Sequence, residues 1–553
     1  MKSQALLTLA GLCATAFAAL RPDADPLFDK LHGRANVHAR RAAGSPPSST
    51  LYARTDSKHR FLNKASSKFV VNGTGIPDVD FDLGESYAGQ LPISGKPNER
   101  DHLYFWFFPT PNKEQQKKKE IVIWLNGGPG CSSLLGLLQE NGPFMWQPGT
   151  LKPKRNPWSW HLLSNVVYIE QPVTVGFSQG NATAKNEDDL AKQFLGFWKN
   201  FMTTFGMQGW KVYVVAESYG GYYGPYISSH MLDAKDKRYY DVGGLMVYDG
   251  IMFNDVVQSG VIVEGFVEQN YNLMPLDDNV MNNIHNISQS CGFRDWHKKY
   301  LVYPPAGPAP RIPPGAKAYP NGTYVVEEQC ESIFDLVYNT MRQVNPCFNI
   351  YNIPAYCPQA YDPLGDEPYF DRADVKKAIN APIDVDWSQC VNGVFNSTRG
   401  DQSGPPDKYE LPNVIDKTKN VILAHGSMDF ILPLNGVLLG IQNMTWGGQL
   451  GFQRAPSDPF YVPRYGYTGR RSGKHYAKDV PAGSGVLGTT HHERGLTLVV
   501  TQLPRPPLEK LLGRIHSLSE ATPFTLPELR NITQAKGPLG KGVVKIPCLG
   551  RGC

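Results

Sequence analysis

The sequence has few charged residues and almost no excess of either sign. Only 19% of its 553 residues are charged, and the formal net charge is +5. Nucleic-acid binding would need a dense basic face, so this composition argues against a nucleic-acid partner. Hydrophobic residues make up 41% of the chain, which indicates a globular protein rather than a disordered one. The length suits one large domain or two ordinary ones, and no internal repeat divides it.

Long hydrophobic runs are also missing, except at the N-terminus. Residues 5–12 form an apolar run, and Ala16 and Ala18 supply the small residues that a signal peptidase reads. We therefore expect residues 1–18 to be a signal peptide, followed by a propeptide or a solvated segment over residues 19–51. No later run is long enough to span a bilayer, so we expect no membrane anchor. The expected location is extracellular (secreted) or vacuolar.

Cysteines and glycosylation sequons both fit the secretory pathway. The chain has 9 cysteines but no Cys-x-x-Cys pair, so we expect no metal site of the zinc type. Cys13 leaves with the signal peptide, and an even number remains, which indicates disulfides in an exported chain. The remaining cysteines are Cys131, Cys291, Cys330, Cys347, Cys357, Cys390, Cys548 and Cys553. The sequons, which predict a glycosylated surface, are at Asn72, Asn181, Asn286, Asn321, Asn396, Asn443 and Asn531.

Six short apolar runs predict buried strands. None of them alternates with polar residues, as expected where a parallel sheet is covered on both faces. An amphipathic stretch at residues 188–205, behind an acidic first turn, predicts a helix between two of these strands. Alternating strands and helices indicate an α/β fold with a mostly parallel central sheet. The apolar runs are residues 121–125, 166–169, 212–215, 245–248, 421–423 and 496–500.

The chain divides around a region of different composition. Residues 258–369 contain four cysteines and a proline-rich segment, and their strand signal is weak. We interpret this region as an insertion, called the cap below, between two core parts at residues 52–257 and 370–535. Residues 536–553 form a C-terminal tail.

The sharpest chemical signal is a serine at the end of a predicted strand. Ser218 follows an apolar strand and precedes Gly220 and a helix-compatible stretch. This pattern predicts a nucleophile elbow, in which a tight strand-to-helix turn exposes the serine hydroxyl. Ala216 replaces the first glycine of Gly-x-Ser-x-Gly, so a plain turn is the alternative. The glycine-rich loop at residues 126–133 stands where hydrolases place an oxyanion donor, and it lacks the lysine of a phosphate-binding loop.

Together these segments resemble the serine carboxypeptidase family, and fungal members in particular. The resemblance implies an α/β-hydrolase fold with a disulfide-bearing cap inserted in it. It also implies release of C-terminal amino acids from peptides and proteins through an acyl-enzyme at acidic pH, without a metal or organic cofactor. The residues that carry it are Trp124-Leu125-Asn126-Gly127-Gly128-Pro129-Gly130-Cys131-Ser132-Ser133, Glu140-Asn141-Gly142-Pro143, Glu170-Gln171-Pro172-Val173 and Glu217-Ser218-Tyr219.

The resemblance assigns the catalytic residues one by one. Ser218 matches the nucleophile, and the backbone N–H groups of Gly128 and Tyr219 match the oxyanion hole. Asp429, which follows a predicted strand, matches the acid of the triad. His425 precedes this acid, and we interpret it as a structural strand residue rather than a catalyst.

The resemblance also implies a disulfide between Cys131 and Cys390, and a group that binds the terminal carboxylate of the substrate. Carboxyl groups can hold a substrate carboxylate only if they share protons with it, which raises their pKa values and favours acidic pH. The alternative for each residue of this group is structural support of its loop. The group is matched by Trp124, Asn126, Glu140 and Glu217.

One part of the family pattern is not found. The family's catalytic histidine lies in a Gly-His-x-Val-Pro turn after the last strand, but here residues 496–503 run directly into Pro504. His491 and His492 precede the strand and His516 lies beyond the following helix, so none fits the place of a catalytic base.

A serine without its base is a poor nucleophile, and two explanations compete. Either the sequence has lost part of an exon of an active peptidase, which we favour, or the chain binds peptide C-termini without catalysis. A secreted esterase is a third interpretation. The carboxylate-binding group argues against it, because a neutral ester offers no carboxylate.

Overall fold

The computed structural model describes residues 59–320, 323–355, 357, 361–462 and 485–500. The main sheet contains, in chain order, β1 (Val70–Val71), β2 (Ser86–Pro92), β3 (His102–Phe108), β4 (Glu120–Leu125), β5 (Asn165–Glu170), β6 (Lys211–Glu217), β7 (Asp241–Tyr248), β8 (Val421–His425), β9 (Asp458–Val462), β10 (Gly485–Glu493) and β11 (Leu496–Val500). These 11 strands lie side by side in the order β1-β2-β3-β5-β4-β6-β7-β8-β11-β10-β9.

The centre of the sheet is parallel and its edges are antiparallel. Strands β5, β4, β6, β7, β8 and β11 pair in parallel, and they are the six apolar runs predicted as strands. The predicted α/β fold with a mostly parallel sheet is therefore confirmed. The edge strands β2, β3, β9 and β10 pair antiparallel with their neighbours, and no periodicity in the sequence indicated them.

Each central strand is buried on both faces. In β4, Ile121 and Ile123 belong to one apolar core, whereas Val122 and Trp124 belong to a second core on the other face. Successive side chains of a strand point to opposite faces, so a strand between two cores cannot alternate apolar with polar residues. This burial explains why the strands read as continuous apolar runs.

Eight longer helices lie within the described part of the chain. The predicted helix at residues 188–205 is α1, where the Asn186 side chain caps the first turn by accepting from the Asp189 N–H at 2.9 Å. Its buried face includes Phe194, Phe197 and Phe201. The helices are α1 (Glu187–Thr204), α2 (Gly220–Asp233), α3 (Val263–Gln269), α4 (Asp278–Ser290), α5 (Phe293–Tyr300), α6 (Ile333–Val344), α7 (Glu410–Thr418) and α8 (Leu434–Gln442). None of the helices in the described ranges is both long and apolar enough to cross a membrane.

Shorter elements fill the connections. Three two-stranded hairpins pair Phe144–Met145 with Lys154–Arg155, Ala316–Ala318 with Tyr324–Val326, and Thr445–Trp446 with Gln449–Leu450. Short helical turns occur at Ser67–Phe69, Lys113–Gln116, Leu134–Gly136, Leu137–Asn141, Trp160–Leu162, Val256–Gly260, Glu328–Glu331, Tyr369–Asp371, Ala373–Ala378 and Pro406–Lys408.

The cap contains α3 to α6 and has its own apolar core. Disulfides Cys291–Cys330 and Cys347–Cys357 close loops within it. Phe430, from the loop after β8, enters this core and stacks on Phe334 with ring centroids 4.8 Å apart. The cap therefore fixes the loop that carries Asp429, the residue next to Phe430.

Candidate active site

Ser218 occupies a tight turn between β6 and α2. Its φ is +58°, a conformation that a residue with a side chain adopts only at some cost. The turn is held by hydrogen bonds from the Ser218 N–H to the Tyr248 carbonyl at 2.9 Å and from the Gly221 N–H to the Ser218 carbonyl at 2.9 Å. A Cβ at Gly220 would lie only 2.7 Å from the Cβ of Ala216, so the turn requires glycine there. This is the geometry of a nucleophile elbow, rather than a plain turn.

The glycine-rich loop after β4 packs directly against this elbow. A Cβ at Gly127 would lie 2.4 Å from the backbone nitrogen of Tyr219 and 2.9 Å from the Cβ of Ser218. Gly128 follows with φ +114°, in the left-handed region that favours glycine. Glycine therefore allows the loop backbone and the elbow backbone to reach the same side of the nucleophile.

A disulfide fixes the far end of this loop. The structure pairs Cys131 with Cys390, with their Cα atoms 4.0 Å apart. A backbone hydrogen bond lies next to the disulfide, in which the Ser132 N–H donates to the Gln389 carbonyl at 2.8 Å. The loop is thus attached to the segment that follows the cap.

Asn126 joins two half-buried carboxyl groups. Its Nδ2 donates to Glu217 at 2.8 Å and to Glu140 at 3.1 Å. Glu217 ends β6 directly before the nucleophile, and Glu140 lies in the π-helical turn Leu137–Asn141, a kind of element that is frequent at functional sites. We call these three residues the Asn126 cluster.

Trp124 supports this cluster from behind. Its indole Nε1–H donates to Asn126 Oδ1 at 2.7 Å, and the same oxygen accepts from the Gly136 N–H at 3.1 Å. Trp124 is 1% exposed and packs edge-on against Trp160. Its hydrogen bond leaves the Asn126 amide with its NH₂ group directed at the two glutamates.

The carboxyl groups of the Asn126 cluster hold protons strongly. Burial raises the pKa of Glu140 to about 7, with a further contribution from the negative charge of Asp249. Burial and the charges of Glu140 and Asp249 raise the pKa of Glu217 well above its usual value. A buried carboxyl that stays neutral can donate a hydrogen bond, so this cluster can receive an anion at acidic pH.

Asp429 lies at the carboxyl end of the parallel sheet, in the loop after β8. It is 5% exposed, and its Oδ1 accepts from the Leu432 N–H at 3.0 Å. Burial and the nearby charge of Asp249 raise its pKa well above the usual value. The ring of His425 is held separately, since its Nε2 donates to the Leu432 carbonyl and its Nδ1 lies 3.8 Å from Asp249 Oδ1. These contacts agree with the interpretation of His425 as a structural residue.

One cavity of about 480 Å³ brings most of these groups together. Among the residues assigned from the sequence, Asn126, Gly128, Glu140, Glu217, Ser218, Tyr219 and Asp429 line it. Trp124 does not line it and reaches it only through Asn126. The arrangement offers a nucleophile, backbone N–H donors and a proton-bearing carboxyl cluster in a single space.

The described histidines do not supply a base to this cavity. His491 and His492 pair with Leu498 and Thr497 across β10 and β11, toward the amino end of β11. The His491 ring packs on Phe452 with centroids 4.7 Å apart, and His492 Nδ1 is 2.7 Å from the Thr497 hydroxyl. Both positions agree with the sequence analysis, which excluded these two histidines as catalytic bases. His516 lies outside the described residues.

Two acidic residues near the nucleophile were missed by the sequence analysis. Asp249 lines the cavity directly after β7, and a polar residue at the carboxyl end of a buried parallel strand was an available signal. Asp401 accepts a hydrogen bond from the Tyr219 hydroxyl at 2.5 Å. It lies 182 residues further along the chain, so no local pattern indicated it.

The glycosylation sequons fall mostly on the surface. Asn72, Asn181, Asn286 and Asn396 are exposed, and Asn443 is half-buried. Asn321 and Asn531 lie outside the described residues, as do Cys548, Cys553, the predicted signal peptide and the C-terminal tail.

Comparison with known proteins agrees with this geometry. A family model described as serine carboxypeptidase matches residues 77–499. A probable serine carboxypeptidase of Arthroderma benhamiae is 43% identical over 492 residues, covering 83% of this chain and 89% of that protein. The serine-type carboxypeptidase F of Aspergillus niger is 39% identical, covering 88% of this chain and 93% of that protein.

A solved structure has the same fold. The prohormone-processing carboxypeptidase of Saccharomyces cerevisiae matches with a TM-score of 0.62 and 22% identity, over 81% of this chain and 94% of that chain. With the family model and the two fungal relatives, this match shows that the chain belongs to the serine carboxypeptidase family and has its α/β-hydrolase fold.

Proposed function

We propose that this protein is a serine-type carboxypeptidase that releases C-terminal residues from peptides at acidic pH. The observation that carries the proposal is the Asn126 cluster, whose half-buried, proton-holding carboxyl groups lie in the same cavity as Ser218. A substrate carboxylate can accept hydrogen bonds from protonated Glu140 and Glu217, and from the Asn126 amide where it displaces one of the glutamate oxygens. Binding of the substrate carboxylate requires protonated carboxyl groups. Peptide binding therefore weakens as the pH rises through the pKa of Glu140, which is about 7.

The reaction follows from what surrounds the held C-terminus. The Ser218 hydroxyl attacks the carbonyl of the last peptide bond and forms an acyl-enzyme, while the backbone N–H groups of Gly128 and Tyr219 stabilise the oxyanion. The reaction also needs a histidine, oriented by Asp429, that takes the serine proton and returns it to the leaving amino acid, and in this sequence that histidine is missing or displaced. Water then releases the acyl group. In the family this histidine follows the last sheet strand, and residues after Val500 lie outside those described.

A second candidate is a protein that binds peptide C-termini without cleaving them. The favouring observation is that none of the histidines in the described ranges lines the cavity. Removal of a triad member leaves binding and oxyanion stabilisation in place but lowers the rate by several orders of magnitude.

Hydrolysis and binding assays on the unchanged 553-residue sequence separate the candidates. An N-blocked dipeptide is offered at about pH 5 as a free acid and as a C-terminal amide, with Ser218→Ala as control, because the shared protons persist there. Turnover of the free acid that Ser218→Ala abolishes supports the peptidase. Tight binding of the free acid without turnover shows that this sequence binds peptide C-termini without catalysis, as expected both for the binder and for a peptidase sequence that has lost its histidine segment. Equal treatment of acid and amide contradicts both and favours an esterase.

The predicted location completes the proposal. Disulfides and exposed sequons suit a protein that passes through the secretory pathway to an extracellular or vacuolar site. Substrate binding that depends on acidic pH also suits such a site. In this proposal residues 1–18 are removed as a signal peptide.

A further inference from the structure

Asp249 places a further carboxyl group beside the nucleophile. Two residues close to Asp249 in the chain form hydrogen bonds with the backbone of Ser218. The Tyr248 carbonyl accepts from the Ser218 N–H at 2.9 Å, and the Ile251 N–H donates to the Ser218 carbonyl at 3.0 Å. The side chain of Asp249 is 32% exposed and lines the cavity. A substrate held for attack by Ser218 therefore passes this carboxyl group.

The contacts of Asp249 leave it able to bind a cation. Its Oδ1 accepts from the Gly426 N–H at 2.6 Å and lies 3.8 Å from Nδ1 of His425. His425 Nε2 faces the Leu432 carbonyl, which can only accept, so Nε2 donates its hydrogen bond there. At 3.8 Å, His425 Nδ1 lies beyond hydrogen-bonding distance of Asp249 Oδ1.

No positive side chain balances the acids of the cavity. The other titratable groups that face Asp249 are His425, Asp429, Glu140 and Glu217. No lysine or arginine is found among the described residues that line the cavity. A cation that enters with the substrate meets acidic groups only.

The wall next to Asp249 is apolar. Ile251, Ile431 and Leu432 line this part of the cavity. A lysine or arginine side chain has the matching form, with an aliphatic stem and a charged tip. A metal ion would gain nothing from such a wall.

We propose that Asp249 and this wall form a subsite for a lysine or arginine side chain of the substrate, in its last or penultimate residue. The inference rests on the proposed function for its substrate class, a peptide with a free C-terminus. It adds the charge of the preferred side chain.

Binding of four peptides tests the subsite without requiring catalysis. N-blocked dipeptide acids with lysine or norleucine, at either the last or the penultimate position beside alanine, are titrated into the Ser218→Ala protein with EDTA. Norleucine keeps the aliphatic stem of lysine and lacks its charge. We expect lysine to bind about tenfold more tightly than norleucine at one of the positions, the size typical of a partly desolvated charge pair. Asp249→Asn should reduce this ratio to about one, because the amide keeps the bond to Gly426 and loses the charge.

A matched variant controls for net charge. Asp366→Asn removes one negative charge at an exposed residue outside the cavity and should leave the lysine-to-norleucine ratio unchanged. A ratio near one in the Ser218→Ala protein at both positions, or a ratio that survives Asp249→Asn, overturns the subsite. Failure of turnover in the unmodified chain would contradict the catalytic proposal alone. Lack of binding by all four peptides would overturn both proposals.

Discussion

Two glutamate clusters in this molecule are built in opposite ways. In the cap, Glu264 is 5% exposed and accepts two hydrogen bonds from the Arg294 guanidinium, one of them from Nε at 3.1 Å. In the cavity, Glu140 and Glu217 share a neutral amide, that of Asn126, as their hydrogen-bond donor. The same type of side chain is thus neutralised by a cation in one place and by a proton in the other.

The pKa values follow from this difference. Burial alone would raise the pKa of Glu264, but the hydrogen bonds with Arg294 and His285 outweigh it, so the pKa is lowered. In the Asn126 cluster burial prevails, and the pKa values are raised. A paired carboxylate is saturated and stabilises the fold, whereas an unpaired carboxyl group holds hydrogen-bonding capacity for a ligand. What separates the Asn126 cluster from other buried acids without a cation, such as Glu170, is that its carboxyl groups also line the cavity.

The largest expected effect comes from removing the amide between the two cavity glutamates. Asn126→Ala deletes hydrogen bonds to both and removes the amide donor for the charged substrate carboxylate, a bond that contributes about 1.5–3 kcal/mol. We expect the affinity for free-acid peptides to fall by on the order of 3 kcal/mol, more than a hundredfold. Isothermal titration at acidic pH measures it. Asn200→Ala, which removes a similar pair of amide bonds to Pro92 and Ser94 far from the cavity, should leave affinity unchanged.

The next effect is on the pH dependence of stability, where the clusters should differ in sign. Glu140 holds its proton in the folded state up to about pH 7, against 4.5 unfolded. The unfolded state binds fewer protons between these values, so the cluster's contribution is full below 4.5 and falls as the pH rises to about 7. The loss is on the order of 3 kcal/mol. Urea unfolding of Glu140→Gln at several pH values should show this decline removed, and an unchanged decline would contradict the assignment.

The cap cluster should show the opposite slope. Glu264 has a lowered pKa in the folded state, so its contribution is present above 4.5 and lost as the pH falls below that value. Arg294→Gln should cost about 2 kcal/mol at neutral pH, less than a fully buried pair because Arg294 is 39% exposed. The double variant with Glu264→Gln, which removes both charges, should recover most of the loss in urea unfolding. Equal losses in the single and double variants would show that packing rather than charge is responsible.

The smallest effect is expected at the edge of the cap cluster. Glu268 lies 3.8 Å from His285 and is 53% exposed, so the pair is screened by solvent. Glu268→Gln should change the free energy of unfolding by less than about 0.5 kcal/mol. A larger change would mean that solvent exposure does not explain why the Glu268–His285 pair is weaker than the Glu264–Arg294 pair.

The sequence predicts the parts of the site that depend on local pattern. Ser218, Asn126 and Glu217 stand at the ends of apolar strands, where the chain itself fixes the turn and the edge of the sheet. The parallel centre was predicted because its strands are apolar throughout. β3 is buried almost throughout as well, but it pairs antiparallel, and no pattern within it reveals the direction of its neighbours.

Contacts between distant segments had no such signal. Glu264 and Arg294 are 30 residues apart on different helices, and charged residues on amphipathic helices normally face solvent. Asp249 follows a predicted strand, but only the packing around Ser218 shows that it shares the nucleophile's cavity. The pairing of the cap cysteines was likewise left open, because spacing does not determine connectivity.

The Cys131–Cys390 disulfide has a consequence for the integrity of the chain. It spans 259 residues and encloses the whole cap in a covalent ring. A protease that cuts one peptide bond anywhere in the cap therefore opens the ring without releasing a piece. The two resulting polypeptides stay linked and migrate as one molecule until a reductant is added. The fold can therefore survive a single cut in the cap, because the disulfide still joins the glycine-rich loop before the cap to the segment after it.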